Sequence, residues 1–272
     1  MSGTAVNARA LRVQFGQIVA IDTSDFDIPS GAVVAVIGPN GSGKSTLLNV
    51  IAGLVAPTSG SVAVKVGARR LAYVMQATKV NENLPVTVRE VVSMGRYAGL
   101  GAYVWMGRDD RESVDQAMER LQISELANRH LHDLSGGQRQ RVFVAQGLAQ
   151  DHDMLLLDEP MTGVDLTTAQ AIDEVIHNET REGCTVIMTT HDLSEARSAD
   201  FVLLLAGRVV ASGEPAVVLT EGGLIEAYGP SLLHVEKGRI FLDDPAHSPA
   251  EGRHSHERSI HTETDRADLH RE

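Results

Sequence analysis

The run Ala32-Val33-Val34-Ala35-Val36-Ile37-Gly38-Pro39-Asn40-Gly41-Ser42-Gly43-Lys44-Ser45-Thr46 sets an apolar strand, a glycine-rich turn and a helix start in immediate succession. Six consecutive small or branched apolar residues read as a parallel strand covered on both faces. The turn matches G-x-x-x-x-G-K-[ST] in full. Leu47, Leu48, Val50, Ile51 and Leu54 then make one apolar stripe at helical spacing, which predicts a helix over Lys44–Leu54. Glycines let the backbone turn its N–H groups inward around a triphosphate. The helix N-terminus adds partial positive charge. Lys44 is placed to reach the β and γ phosphates, and Ser45 to ligate Mg²⁺.

Working outward, Met154-Leu155-Leu156-Leu157-Asp158-Glu159 is an apolar strand that ends in two carboxylates. Asp158 at the strand tip suits Mg²⁺, usually through water. Glu159 is placed to orient or deprotonate an attacking water. Further strands are predicted over Ala10–Phe15, Leu71–Val74, Thr185–Thr189 and Phe201–Leu205. Helices are predicted over Val86–Met94, Arg108–Leu121, Gly137–Gln150 and Thr167–Asn178. This alternation predicts an α/β fold with a mainly parallel sheet. Turn signals at Pro29-Ser30-Gly31 and Pro57-Thr58-Ser59-Gly60 add an antiparallel β portion within the first sixty residues. Residues 77–150 read as an inserted helical subdomain, and residues 1–243 as one nucleotide-binding domain.

Composition narrows the class. The chain has 272 residues, 24 Lys+Arg and 36 Asp+Glu, for a formal charge of −12. That balance argues against a protein held on nucleic acid by phosphate neutralisation. With 43% apolar residues it is an ordinary globular composition. Its single cysteine, Cys184, forms no internal disulfide and reads as a small buried core residue. No secretory signal is visible at the start, and no stretch approaches the roughly 18 apolar residues of a membrane span. If the protein works at a membrane, another chain crosses it.

Leu134-Ser135-Gly136-Gly137-Gln138-Arg139-Gln140-Arg141 opens a further helix pattern. Its glycines at a helix N-terminus make either a second anion site or a plain helix cap. Taken with the two preceding motifs, this stretch resembles the ABC signature, and the chain from about 8 to 242 resembles the ATP-binding subunits of ABC transporters. Gly38–Ser45 then resembles Walker A and Leu155–Glu159 Walker B. Gln76 resembles the Q-loop glutamine, His191 the switch histidine, Thr162-Gly163-Val164-Asp165 the D-loop, and Phe15 the aromatic that stacks on adenine. Phe15 stands where tyrosine is commoner, and the D-loop departs from Ser-Ala-Leu-Asp but keeps Asp165.

The resemblance implies a RecA-like P-loop NTPase core and ATP with Mg²⁺ as cofactors. Gly38, Pro39, Asn40, Gly41, Ser42, Gly43, Lys44, Ser45 and Thr46 would hold the nucleotide. Ser135, Gly136, Gly137, Gln138 and Asp165 would close it from a second copy in a head-to-tail homodimer. Ser45, Gln76 and Asp158 would surround Mg²⁺, and His191 would contact the γ-phosphate. It also implies permease subunits in the membrane, a substrate-binding protein on the far side, and a place on the cytoplasmic face.

Leu84 to Tyr97, with Pro-Val-Thr-Val and Met-Gly-Arg-Tyr, resembles the manganese/zinc/iron importer branch and would line the permease groove. The siderophore, haem and cobalamin branch shares parts of this pattern. An ABC-type ATPase acting on DNA or the ribosome fits less well, since there is one ATPase unit and no coiled coil. A regulator that does not hydrolyse fits poorly with Glu159 and His191 in place. Residues 244–272 hold five of the eleven histidines (His247, His254, His256, His261 and His270) and no aromatic residue. This tail reads as disordered and solvated, with a Zn²⁺ site as the minority reading.

Overall fold

The computed structural model describes residues 3–76, 85–97, 105–230, 233–236 and 239–242. In chain order the elements are β1 (Thr4–Phe15), β2 (Ile18–Pro29), β3 (Val33–Ile37), α1 (Lys44–Ile51), β4 (Ser59–Val64) and β5 (Leu71–Val74). Then come α2 (Val88–Tyr97), α3 (Arg108–Arg120), α4 (Gly136–Leu148), β6 (Met154–Leu157), α5 (Leu166–Arg181), β7 (Thr185–Thr190) and α6 (Leu193–Ser198). The last are β8 (Phe201–Leu205), β9 (Val209–Gly213), α7 (Pro215–Val218), α8 (Glu221–Tyr228), β10 (Leu233–Glu236) and β11 (Arg239–Leu242).

Six strands form the central sheet in the order β5-β6-β7-β3-β8-β9. All neighbours are parallel except β8 and β9. Every residue of β3, β6 and β7 is buried, so both faces of the sheet are covered. Side chains alternate across it. Val33, Ala35 and Ile37 join the core under the helical layer, while Val34 and Val36 pack with Leu47, Leu48 and the small sheet. That second sheet is antiparallel, in the order β2-β1-β4. β10 and β11 pair as a hairpin.

Strands β5, β6 and β8 have the expected bounds. Others differ for local reasons. β1 begins at Thr4, six residues early, because Ala5, Val6 and Ala8 are buried behind polar neighbours. Its ladder is interrupted at Ala10 (φ 47), where a Cβ on Gly60 would stand 2.0 Å from the Ala10 carbonyl oxygen. Ser59 and Gly60 belong to β4 rather than to a turn. The helix α1 stops at Ile51, since Gly53 (φ 73) donates to Val50 and Leu54 donates to Asn49. Leu54 is therefore not part of the buried stripe and is exposed.

The helical layer has equally local boundaries. α2 begins after Thr87, whose backbone N–H donates to the Glu90 carboxylate while its hydroxyl accepts from the Glu90 N–H. α5 starts at Leu166 because the Asp165 side chain accepts the Thr168 N–H. Gln146 on α4 approaches α2 so closely that a Cβ at Gly95 would stand 2.1 Å from its carbonyl oxygen. Arg96, next in the chain, pairs with Asp110 and Asp151 and donates to the Ala149 carbonyl. This one guanidinium ties α2 to α3 and to the end of α4. Residues 77–84 and 98–104 of the expected helical subdomain, and the whole tail 244–272, lie outside the described residues.

Gly95→Ala should lower unfolding stability by about 1–3 kcal/mol, the usual cost of overpacking a helix contact. Urea denaturation would show the midpoint falling with an unchanged slope.

Candidate active site

The register of the parallel strands gathers the chemistry at one edge. Val74 pairs with Leu157, Leu157 with Met188, and Ile37 with Thr190. The four strand ends therefore finish side by side. The residues just past them are Gln76, Asp158 and Glu159, His191, and the loop that starts at Gly38.

The loop is wedged in place. A Cβ at Gly38 would stand 1.9 Å from the Leu205 carbonyl oxygen, and one at Gly43 would stand 2.6 Å from the Ala20 carbonyl oxygen. Gly207 donates its N–H to the Ser42 carbonyl. The ends of β2 and β8 thus grip the loop from both sides. Gly41 and Gly43 have φ of 79 and 100, a region that side chains with a Cβ rarely occupy. Lys44 is buried, and its ammonium donates to the Gly38 carbonyl at 2.8 Å and to the Pro39 carbonyl at 3.3 Å. Those bonds hold the charge across the loop, above the first turn of α1. The first N–H groups of a helix have no partner within it, so loop, helix end and ammonium together make a polyanion cradle.

Opposite the cradle stand the carboxylates. Ser45 Oγ donates to Asp158 Oδ1 at 3.1 Å. Asp158 is 2% exposed, and Thr189 Oγ1 donates to the same oxygen at 2.8 Å. Thr189 Oγ1 also accepts the Glu159 N–H at 2.8 Å. One fully buried hydroxyl therefore sets both acidic residues. Glu159 takes φ 50, unusual for a residue with a Cβ, which turns the chain sharply at the strand end. Its Oε2 accepts from Gln76 Nε2 at 3.1 Å. Ser45 and Asp158 offer a hydroxyl and a carboxylate, the hard oxygen donors that suit Mg²⁺.

His191 follows β7 and is partly exposed. Thr190 holds its loop: the hydroxyl donates to Glu195 and accepts the Asp192 N–H at 2.9 Å. Burial pushes the Glu195 carboxyl up, and the Thr190 bond partly offsets that. Thr189 and Thr190 are positioning residues that the sequence reading missed. Nothing but their place at the end of a buried strand marked them.

Ser135 and Gln138 form a reciprocal capping box: the Ser135 hydroxyl accepts the Gln138 N–H, and Gln138 Oε1 accepts the Ser135 N–H. Within a single chain the plain cap reading describes this turn. A Cβ at Gly137 would stand 2.9 Å from both Asp165 Oδ2 and Thr168 Oγ1. Phe15 ends β1 opposite Ile18, half-exposed at the tip of the hairpin.

A family model described as ABC transporter matches residues 21–162. The chain belongs to the ABC transporter ATP-binding family. It is 40% identical to the zinc transport system ATP-binding protein TroB of Treponema pallidum, over 83% of this chain and 87% of that one. It is 38% identical to the chelated iron transport system protein YfeB of Yersinia pestis, over 83% and 79%. It is 37% identical to the manganese transport system ATP-binding protein MntB of Bacillus subtilis, over 75% and 84%.

Among solved structures it resembles an inward-facing metal-chelate type ABC transporter, at TM-score 0.75 and 28% identity over 88% of this chain and 95% of that chain. It also resembles a dimeric ATP-binding cassette in a post-hydrolysis state bound to ADP and Pi, at TM-score 0.68 and 26% identity over 77% and 98%. This ABC subunit has the P-loop NTPase fold and is an ATP hydrolase. No helix among the described residues is long and apolar enough to cross a membrane.

Thr189→Val would strip the Glu159 N–H of the Thr189 hydroxyl and remove one of the donors on Asp158 Oδ1, which keeps Ser45, at a cost of about 1–3 kcal/mol. ATP turnover should fall roughly tenfold or more, with nucleotide affinity nearly unchanged. Thr189→Ser should keep most of the activity. Equal turnover in Thr189→Val would remove its positioning role.

Proposed function

We propose that this ABC ATPase energises import of a divalent transition metal, zinc or manganese, through separate permease subunits. The observation that carries this is the 34–40% identity, over most of the chain, to several metal transport ATP-binding proteins. Iron-chelate import is the second reading, favoured by YfeB and by the metal-chelate type transporter.

In the hydrolytic step, Lys44 and the N–H groups of the loop at 38–46 neutralise the β and γ phosphates. Phe15 stacks on the adenine. Ser45, Asp158 and Gln76 hold Mg²⁺, which supplies further charge neutralisation on the phosphates. Glu159, steadied by Gln76 and Thr189, orients the attacking water and accepts its proton. His191 contacts the γ-phosphate. Charge developing on the transferred group is offset by donors already fixed in place, so little reorganisation is needed.

Ser135, Gly136, Gly137 and Gln138 of a second copy complete each site, with Asp165 beside them. The pairing is a head-to-tail homodimer that ATP joins and hydrolysis releases. The motor acts at the cytoplasmic face of the membrane, with a substrate-binding protein on the other side.

A cleft of about 340 Å³ lies next to Gln76, lined by Met75, Val86, Val91, Met94, Phe143 and Gln146 among others. Met75 and Met94 are 50% and 41% exposed, and flexible thioethers suit an apolar helix of a permease. Occupying this cleft would couple the permease to Gln76 and through it to Glu159.

Glu159→Gln should retain ATP binding and lose about 10²–10⁴-fold in turnover, the range for removal of a general base. Unchanged turnover would reassign the base. Cells lacking the chain should lose uptake of one metal when Zn²⁺, Mn²⁺ and Fe compete. The wild type should restore it and Lys44→Ala should not. Unchanged uptake of all three would favour the iron-chelate reading.

A further inference from the structure

The edge of the sheet opposite the ATP site holds a second group of ionisable side chains. His152 lies just before β6, Cys184 just before β7, and Glu179 in the last turn of α5. Their side chains are buried: His152 and Glu179 are each 6% exposed, and Cys184 is 5% exposed. One ligand atom from each lies within 4.8 Å of the others.

Two outer contacts set the inner atoms. His152 Nδ1 stands 2.6 Å from the Gln150 carbonyl oxygen, so Nδ1 carries a proton and Nε2 faces the cluster. Nε2 is 2.9 Å from Glu179 Oε2 without the alignment of a hydrogen bond. The other Glu179 oxygen accepts from Arg120 Nη1 at 2.7 Å, which leaves Oε2 directed at the ring. A ligand imidazole fixed by a carbonyl and a ligand carboxylate fixed by a cation are the outer contacts a metal site needs.

We propose that His152, Glu179 and Cys184 form a binding site for a divalent transition metal of the zinc class, separate from the ATP site. One nitrogen, one oxygen and one sulfur make a borderline-soft donor set that favours Zn²⁺ and disfavours Mg²⁺. Three protein ligands leave a fourth position for water. The ion would bind a neutral imidazole, a carboxylate and a thiolate, and the two negative ligands offset its charge inside the buried cluster. Access is short, because Cys184 directly follows the exposed residues 181–183 and His152 sits between exposed Asp151 and Asp153. The site does not depend on which cargo the transporter carries.

Co²⁺ titration of the full-length, chelator-stripped protein tests it. Cys184 is the only cysteine in the chain, so a thiolate-to-Co²⁺ charge-transfer band reports this site alone, whatever the tail histidines bind. The band should saturate at about one equivalent, and Zn²⁺ should abolish it. It should vanish in Cys184→Ser. Glu179→Gln should weaken Co²⁺ binding about tenfold or more. A wild-type protein with no charge-transfer band, or a band of equal affinity in His152→Asn, would overturn the proposal and leave a buried ion pair.

Discussion

Three strands in parallel register are what the site rests on. β6, β7 and β3 lie side by side, each buried on both faces, and their C-terminal ends finish at one level. The sheet converts residues far apart in the chain into neighbours: Ser45 meets Asp158, and Thr189 meets both Asp158 and Glu159. A slip of one residue would turn every side chain of a strand to the opposite face. The two hydrophobic cores oppose such a slip, because each claims alternate residues of the same strands. Packing far from the strand ends therefore fixes the geometry at the strand ends.

Much of this was legible in the sequence because the signals are local. A short run dense in apolar residues, too short for a helix, reads as a strand, and β5, β6 and β8 have the bounds read from it. The glycine-rich loop is equally explicit, since its turn depends on residues without a Cβ. What escaped is what depends on distant partners. The polar start of β1 is a strand only because β2 and β4 flank it. Leu54 fits a helical stripe in sequence, yet the chain has already turned at Gly53.

The site divides in the same way. Lys44, Ser45, Asp158 and Glu159 sit in motifs whose spacing carries their chemistry. Thr189 shows nothing in sequence beyond a threonine at a strand end, and its value comes from two bonds to a neighbouring strand. Gln76 could be assigned by resemblance alone, and its contact with Glu159 required the fold. The His152–Glu179–Cys184 group was invisible as a set, since its members are spread over a span of 32 residues and His152 meets the other two through the adjacency of β6 and β7.

The close approach at Gly137 has a mechanical meaning. With Asp165 and Thr168 pressed against the first turn of α4, the signature turn and the start of α5 share one joint. Neither can tilt by much without carrying the other. A displacement of the turn therefore reaches the cap of α5, which lies a short loop beyond Glu159.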